Sequence, residues 1–398
     1  MKCNIFFACC LLLISCNGDK STAEDPSQDL TIIDQNYTEA LSVASKENKL
    51  LLIDFYTTWC MPCKELDKWV FQNDSIQQLL EKDFVLLKYD AEKDTTFHLS
   101  KKHHVGSYPT GLVLNKEGYV VNRKYGFPGS DSLTLQKNVM EFTQESIALN
   151  KENKILTGYS NEISPSNYPK FYADFVNRTN TKIDDAELST YFTDTEDKFS
   201  EHYFSTLLYF GRSAPASISD FVLSNKQKYL DLYGNTDVEI LLYHLVSAKF
   251  KVAISKLDRG EYDKAVEFAK TTLSPRWTND ILPGFEEDYL MAQNKWDEVF
   301  EINKKRKDNG EFDNGYINHF SWTMYKKCDD QEVVKKCIEW MKEVTDQEPS
   351  YAYLDTYAHL LHKAGNKAKT KEIAKLAIEA AKKENQSTKA LEDLMAKL

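Results

Sequence analysis

The sequence predicts an α/β domain, with a central mixed sheet flanked by helices, followed by an all-α region. Between residues 31 and 150, short apolar runs alternate with amphipathic stretches, as expected for strands that alternate with helices. From residue 151 to residue 398 this alternation ends and helical periodicity dominates. A chain of 398 residues is long enough for two or three domains with sizeable cores.

Composition and charge exclude several classes of protein. The 42% hydrophobic and 28% charged content is ordinary for a globular protein, which argues against wholesale disorder and against a multi-span membrane protein. The net charge of −11 leaves no basic footprint for nucleic acid. Eight cysteines are too few for a disulfide-rich scaffold, so their positions matter more than their number.

Residues 1–15 are predicted to be a lipoprotein signal peptide. Lys2 precedes an uncharged apolar run over 5–14, which spans about 15 Å as a helix and is too short to cross a bilayer. The run ends in Leu-Ile-Ser before Cys16, which resembles a bacterial lipobox and predicts lipidation of that cysteine. An ordinary secretory signal, cleaved slightly later, is the alternative. The polar stretch 16–30 is then a tether, and the expected location is the cell envelope, facing the periplasm or cell surface, where disulfides persist.

The elements of the α/β region follow from local patterns. The run KLLLIDFY over 49–56 is continuously apolar, which favours a buried central strand. Gly118 closes a turn between two short apolar runs and so predicts a hairpin. In order, the predicted elements are a helix over 37–46, a strand over 49–56, helices over about 60–72 and 74–82, a strand over 84–89, a helix over 95–104, strands over 111–114 and 119–123, and a helix over 133–148.

The region 151–398 is predicted to be a TPR-like helical array. Its last two helix pairs lie about 34 residues apart, which is the period of tetratricopeptide repeats. An irregular helical bundle is the alternative reading. The aromatic residues between 160 and 245 fall at helical spacing and are expected to form core. The residues of the final pair that match the repeat consensus are Leu354, Tyr357, Ala358, Leu361, Gly365, Ala374 and Ala377.

The sequence Trp59-Cys60-Met61-Pro62-Cys63 carries the chemistry, because it follows a predicted buried strand and opens a predicted helix. A cysteine at a helix N-terminus lies near unpaired backbone N–H groups and the positive end of the helix dipole, which favour the thiolate. Two intervening residues place the second sulfur one helical turn away. We therefore expect Cys60 to be the exposed nucleophile and Cys63 the shielded resolving thiol. Pro62 in the first turn costs no hydrogen bond.

Residues 51–63 (LLIDFYTTWCMPC) resemble the active-site segment of the thioredoxin family, and the similarity extends over about 120 residues. Cys63-Lys64-Glu65-Leu66, Val70-Phe71 and Leu86-Leu87-Lys88 are similar to the C-terminal thioredoxin-like domain of DsbD-type reductases. The resemblance implies a thioredoxin fold and thiol–disulfide oxidoreductase activity.

The resemblance also implies roles for residues outside the cysteine motif. Pro109 is expected to be cis and to face the cysteines, with Tyr108 beside it in the substrate-binding surface. Asp54 matches a buried acid behind the resolving cysteine. A carboxyl group desolvated there would have a raised pKa and could accept the Cys63 proton. Lys88 matches the lysine that often neighbours that acid.

Trp59, Met61 and Pro62 complete the expected substrate-binding residues. Trp59 is expected to shield the sulfurs. Met61 departs from thioredoxins, which have glycine at this position, so the redox potential and the substrate groove are not fixed by the resemblance.

Simpler interpretations exist for several of these residues. Cys60 and Cys63 could form a structural disulfide or bind zinc, although zinc needs two more ligands at suitable spacing. Asp54 could be a satisfied core acid. Two further sets lie outside the motif: His103 and His104 are expected to face solvent at a helix end, whereas Cys328 and Cys337 are either disulfide-bonded or small buried hydrophobes.

The sequence thus predicts an exported thiol–disulfide oxidoreductase that reduces or exchanges disulfides of protein substrates. Thiol exchange needs no organic cofactor and no metal, only the Cys60–Cys63 disulfide itself. The expected partners are protein disulfides, a thiol protein that donates or accepts electrons, and the membrane through the lipid anchor. The alternative is a tethered adaptor, in which the helical region binds partners and the α/β domain is a scaffold.

Overall fold

The computed structural model describes residues 29–129, 131–177, 179–384 and 386–398. The predicted signal peptide, Cys16 and the tether up to residue 28 lie outside these ranges. Leu30, at the end of the predicted tether, is buried in the core of the α/β region. Within the described ranges, none of the helices combines the length and apolarity that a membrane span requires.

The described chain contains one five-stranded mixed sheet, which confirms the predicted fold class. Its order is β1-β3-β2-β4-β5, with β1 and β2 parallel to β3, and β4 antiparallel to both β2 and β5. The central strand β2 is buried along almost its whole length, as its unbroken apolar sequence predicts. The strands are β1 (Ile32–Asp34), β2 (Leu50–Tyr56), β3 (Phe84–Asp90), β4 (Thr110–Leu114) and β5 (Val120–Tyr125).

Helices separate most of these strands along the chain, and after residue 151 the described structure is all helical. The chain divides into two compact units, the first ending at Leu241 and the second beginning at Leu242. The first unit therefore includes helices α6–α9 as well as the sheet. Its helices are α1 (Tyr37–Glu47), α2 (Met61–Leu66, continued by a π-helical turn at Asp67–Phe71), α3 (Asp74–Glu81), α4 (Leu99–Lys102), α5 (Ser132–Lys151), α6 (Lys170–Val176), α7 (Asp185–Asp194), α8 (Glu201–Phe210), α9 (Ala216–Ser224) and the first part of α10 (Lys226–Lys256), which is interrupted at Gly234.

Helix α4 is much shorter than the helix predicted over 95–104, and the reason lies just before it. His98 adopts a left-handed backbone conformation, with φ of 52°, which a continuous helix cannot accommodate. The Asp94 carboxylate accepts hydrogen bonds from the backbone N–H groups of Leu99 and Ser100, at 3.1 and 2.7 Å. These contacts start the helix at Leu99, because they satisfy N–H groups that have no partner inside it.

An apolar core holds the sheet, α2, α3 and α5 together. Alternate residues of β2 and β3 contribute side chains to it, as the strand period of two requires. Its buried members are Leu30, Leu50, Leu52, Leu66, Val70, Phe71, Ile76, Leu80, Phe84, Leu86, Val113, Val121, Phe127, Leu135, Val139 and Phe142.

The aromatic residues predicted to be core between 160 and 245 are mostly buried in the first unit. Phe204 stacks on Tyr233 with ring centroids 3.7 Å apart and also contacts Tyr229. Phe171 packs edge-on against Phe210. These contacts confirm that the aromatic spacing marks packing between helices.

The second unit, from Leu242 onward, is all helical in its described part. Two of its helix pairs are separated at residues with positive φ, Asn294 at 58° and Gly365 at 77°. The helices after α10 are α11 (Arg259–Thr272), α12 (Pro275–Ala292), α13 (Trp296–Asp308), α14 (Asn314–Lys327), α15 (Gln331–Gln347), α16 (Tyr351–Lys363), α17 (Lys367–Lys383) and α18 (Lys389–Ala396).

Candidate functional site

Cys60 and Cys63 form a disulfide at the junction between β2 and α2. Cys60 is the N-cap of α2, and its sulfur accepts a hydrogen bond from the backbone N–H of Cys63 at 3.1 Å. Pro62 lies in the first turn, where its missing N–H leaves no partner unsatisfied. The predicted placement of the pair after a buried strand and at a helix N-terminus is confirmed.

The expectation that Cys60 is exposed is wrong for this oxidised form. Cys60 is 4% exposed and Cys63 is 3% exposed, so the two residues are almost equally buried. The disulfide turns the Cys60 sulfur back toward Cys63 and the helix N-terminus. The residues on either side of Cys60 are exposed instead: Trp59 is 58% exposed and Met61 is 61% exposed.

Trp59 is held beside the loop that contains Pro109. The Trp59 indole N–H donates a hydrogen bond to the Glu92 carboxylate at 2.8 Å, and its ring meets Tyr108 edge-on with centroids 6.0 Å apart. The Tyr108–Pro109 peptide bond is cis, as the resemblance implies. We refer to residues 107–110 as the cis-proline loop. The Trp59–Tyr108 contact brings this loop next to the residue that precedes Cys60.

Asp54 and Lys88 form a buried ion pair across β2 and β3. The two residues lie opposite each other in the sheet register, and Lys88 Nζ is 2.7 Å from Asp54 Oδ2. The same Nζ is 2.8 Å from Asp67 Oδ1, in the π-helical turn after α2. Asp54 is 1% exposed, and its Oδ1 accepts no hydrogen bond from the described part of the chain.

Burial raises the pKa of Asp54, and the nearby Lys88 only partly opposes this effect. The pKa of Lys88 is also raised, because Asp54 and Asp67 together outweigh its own burial. The two shifts have opposite consequences for the ion pair, because a raised pKa favours the neutral form of Asp54 but the charged form of Lys88. The raised pKa of Asp54 prevails, because Lys88 shares its charge with a second carboxylate and one oxygen of Asp54 has no donor. Asp54 is therefore suited to take up and release a proton.

His103 and His104 are buried, and the prediction that they face solvent is wrong. They are 2% and 4% exposed. Residues far later in the chain cover them: the His104 ring stacks on Tyr159 and meets Phe204 edge-on. Burial and, after it, the Arg123 guanidinium lower the pKa of His104 to about 4, although Asp237 opposes them, so this histidine is neutral near pH 7.

His104 belongs to a buried polar group that sequence reasoning missed, which we call the Arg123 cluster. It consists of His104, Arg123, Tyr125, Tyr159 and Asp237. Arg123 Nη1 lies 3.2 Å from Asp237 Oδ2, and the Tyr125 hydroxyl donates to Asp237 Oδ1 at 2.8 Å. Arg123 Nη1 also contacts His104 Nε2, and the Tyr159 hydroxyl donates to Asp237. Strand alternation offered one signal, because Arg123 shares a face of β5 with the buried Val121.

Cys328 and Cys337 are free thiols, and both are fully buried in the second unit. The Cys328 sulfur contacts the backbone carbonyl of Asp330 at 3.7 Å. Burial raises the pKa of both thiols. Of the two interpretations left open by the sequence, the structure favours small buried hydrophobes.

In the described ranges, no group of three or more His, Cys, Asp or Glu side chains is arranged to hold a metal ion.

The thioredoxin-like part of the chain matches known proteins. The sequence profile of the Thioredoxin-like family matches residues 32–116. Thioredoxin-1 of Drosophila melanogaster is 33% identical over 89 residues, which are 22% of this chain and 75% of that protein. The thiol:disulfide interchange protein DsbD of Pasteurella multocida is 30% identical over 118 residues, which are 27% of this chain and 20% of DsbD.

The solved structure of a candidate disulphide-isomerase from Bacteroides thetaiotaomicron is 38% identical to this chain. The alignment covers 30% of this chain and 98% of that one, with a TM-score of 0.26.

The chain covers only about a fifth of the DsbD relative. It covers three quarters of the fly thioredoxin at 33% identity, and the Cys60–Cys63 disulfide stands at the strand-to-helix junction. The chain belongs to the thioredoxin family. Family membership and the disulfide pair together support thiol–disulfide redox chemistry.

Proposed function

We propose that this protein is an exported, membrane-anchored lipoprotein that reduces or exchanges disulfides of protein substrates. The observation that carries the proposal is the Cys60–Cys63 disulfide at the N-terminus of α2, beside the cis-proline loop. The lipobox-like ending at Cys16 supports export and anchoring. DsbD-type relatives, which are thiol:disulfide interchange proteins, support the reductive or exchange direction.

In the reductive half-reaction, the Cys60 thiolate attacks one sulfur of the substrate disulfide. A Cys60–substrate disulfide forms, the substrate disulfide breaks, and the second substrate sulfur leaves as a thiolate that takes up a proton. The helix N-terminus lowers the pKa of a thiol at this position and so favours the attacking thiolate. The Cys63 N–H, which already points at the Cys60 sulfur, supplies part of that stabilisation.

Cys63 then releases the substrate. Its thiol loses a proton, its sulfur attacks the Cys60 sulfur, and the mixed disulfide breaks to give the Cys60–Cys63 disulfide and a reduced substrate. Asp54 is the proposed proton acceptor, because it is buried, has a raised pKa and keeps one oxygen without a donor. A thiol protein in the same compartment would return two electrons to the pair. The exchange itself needs no organic cofactor or metal.

The test is a trapping experiment. A Cys63→Ser variant can attack a substrate disulfide but cannot resolve it, so it should accumulate proteins joined to Cys60 that are released by a reductant. Two variants serve as controls. Cys60→Ser lacks the attacking thiol and should trap nothing. Cys337→Ser changes a buried thiol of the second unit and should leave disulfide exchange unchanged. If Cys63→Ser folds but traps no protein, the proposal fails. Partners that bind equally well without Cys60 and Cys63 would instead favour the adaptor.

The direction of electron flow is measured by the reduction potential of the pair against glutathione. We expect a reduction potential of about −270 mV, in the range of a reductant, rather than about −120 mV, which is typical of a strong oxidant. The Cys328→Ser variant controls for the buried thiols and should give the same potential. A potential near the oxidant end would overturn the reductive assignment while leaving thiol exchange intact.

A further inference from the structure

The backbone that leads into the cis-proline loop is held by residues of the helices that follow the sheet. We call residues 101–106 the lead-in segment. The Tyr172 hydroxyl donates a hydrogen bond to the Lys101 carbonyl at 2.7 Å, and the Tyr168 hydroxyl donates to the Lys102 carbonyl at 3.0 Å. The two tyrosine rings stack with centroids 4.9 Å apart. The lead-in segment is thus attached to α6 and the residues just before it.

Side chains of the lead-in segment are also held. Lys102 is 5% exposed, and its Nζ lies 2.7 Å from Glu201 Oε1 on α8 and 3.2 Å from the Ser160 hydroxyl. His104 lies in the Arg123 cluster, which joins β5 to Asp237 on α10. The path of the backbone toward the cis-proline loop is therefore set by helices that lie outside residues 32–116, the part of the chain that matches the Thioredoxin-like family.

Tyr209, near the end of α8, lies directly against the lead-in segment at Gly106. A Cβ atom at Gly106 would lie 3.3 Å from Cε1 of the Tyr209 ring, so only glycine permits this close approach without displacement. Tyr209 is half-buried and packs edge-on against Tyr172 and Phe175, with centroids 5.4 and 5.7 Å away. Its ring is therefore held in place by neighbouring aromatic rings, although the residue as a whole is not fully buried.

Tyr209 is also close to the loop itself. Gly106, the residue that Tyr209 contacts, directly precedes Ser107, the first residue of the cis-proline loop. Tyr108 in turn meets the Trp59 ring. A chain of contacts thus runs from Trp59 to Tyr108, and through the nearby Gly106 to Tyr209 on α8.

We propose that Tyr209 is a specificity-determining residue: with Trp59 and Tyr108 it receives an apolar or aromatic side chain next to the cysteine of an extended substrate segment. Rigid, partly exposed aromatic rings give large contact area at little entropic cost, which is why they dominate recognition surfaces. The assignment rests on the proposed function, because it concerns substrates of the same cysteine pair.

A role in packing alone makes a different prediction. If Tyr209 only supports the lead-in segment, its loss disturbs the loop for every disulfide and lowers all exchange rates together. If Tyr209 contacts the substrate, its loss removes the preference for one side chain and spares disulfides too small to reach it.

The experiment compares two peptide disulfides that differ only in having Phe or Ser beside the cysteine, with cystine as a small disulfide. The wild-type protein should favour the Phe peptide by about fivefold in kcat/KM, mainly through KM, the size expected for one aromatic contact. Tyr209→Ala should lose this preference and keep its rate with cystine, whereas Tyr209→Phe should restore the preference. Tyr191→Ala is the matched control: Tyr191 is a half-buried tyrosine of α7 packed on Phe171 and Tyr203, and its loss should leave the preference unchanged.

A Tyr209→Ala variant that keeps the Phe preference, or loses activity equally with all three substrates, would overturn the assignment. If Tyr209→Ala does not fold, Tyr209→Leu fills part of the same space without the ring and decides the question in the same way. A wild-type protein that exchanges with none of the three disulfides would refute the proposed function itself.

Discussion

Asp54 is a carboxyl group that the fold buries without satisfying it fully. One oxygen contacts Lys88, and the other has no donor in the described chain. Its raised pKa means that, above the unfolded value of about 3.9, the folded protein binds more protons than the unfolded chain. Stability contributed at this site is therefore present at low pH and is lost as the pH rises through the folded pKa. Under the proposed mechanism, the same residue would link activity to a cost in stability.

Replacing Asp54 by Asn should separate these two effects. At about pH 7 we expect the unfolding midpoint to rise by about 2–4 °C, the shift that ~1 kcal/mol produces in a unit of this size. Because the wild-type carboxyl becomes neutral in acid, this gain should disappear as the pH falls. The rate of disulfide exchange should fall by about tenfold or more, since a positioned proton acceptor is lost. Thermal unfolding at several pH values and a reductase assay measure the two effects.

Asp67→Asn is the matched control, because Asp67 contacts the same lysine but its side chain is 35% exposed. It should change neither quantity appreciably. Equal gains in stability from Asp54→Asn at acidic and neutral pH would contradict the interpretation of Asp54 as a buried, titrating acid.

At the level of elements, the Arg123 cluster joins strand β5 to helix α10. Arg123 is 3% and Asp237 is 1% exposed, so each charge depends on the other and on the tyrosine hydroxyls around them. Burial raises the pKa of Asp237, but the Arg123 guanidinium, together with the hydrogen bond from Tyr159, outweighs that effect and lowers it overall. Asp237 stays ionised because its partners compensate for lost water.

Removing one partner should therefore be costly. Asp237→Ala leaves Arg123 buried without a counter-charge, and we expect a loss of about 3–5 kcal/mol in stability. Hydrogen–deuterium exchange measures this loss of stability locally, as faster exchange of the backbone amides of β5 and α10. The double variant Arg123→Met with Asp237→Leu should recover most of it, since an apolar pair leaves no uncompensated charge.

Glu286→Ala removes one of the two carboxylate partners of Arg259, which is 54% exposed, and should cost less than about 1 kcal/mol. An Asp237→Ala variant as stable as this control would show that the cluster is not stabilised by its charges.

Sequence patterns predicted most of the elements around the site because those elements are locally determined. The apolar run of β2, the cysteines at the start of α2 and the Gly118 hairpin all carry their signal within a few residues. Strand β1 was missed because three residues, Ile32–Asp34, give too short a pattern. The burial of His103 and His104 could not be read locally, because Tyr159 and Phe204 cover them from 55 to 100 positions further along the chain.

At the scale of the whole molecule, the proposed anchor at Cys16 would hold the Cys60–Cys63 site near a membrane surface. Acyl chains on Cys16 would contribute about 0.8 kcal/mol for each buried CH₂ group, so several chains would hold the protein stably. The proposed attachment depends on Cys16.

Cys16→Ser should release the protein from membranes into the soluble fraction without changing its exchange activity in solution. Fractionation of cells followed by a reductase assay measures both properties. Lys20→Ser, in the same predicted tether, is the control and should leave the protein in the membrane fraction. A Cys16→Ser protein that stays with the membrane would argue for another mode of attachment.

The burial of Cys328 and Cys337 has a practical consequence for the unmodified protein. Both thiols are fully covered, and their raised pKa values disfavour the reactive thiolate. Between residues 29 and 398, alkylation of the native protein should therefore report on Cys60 and Cys63 alone. Mass spectrometry of alkylated protein taken from living cells can then measure the fraction of molecules in which the Cys60–Cys63 pair is reduced, without an engineered sensor.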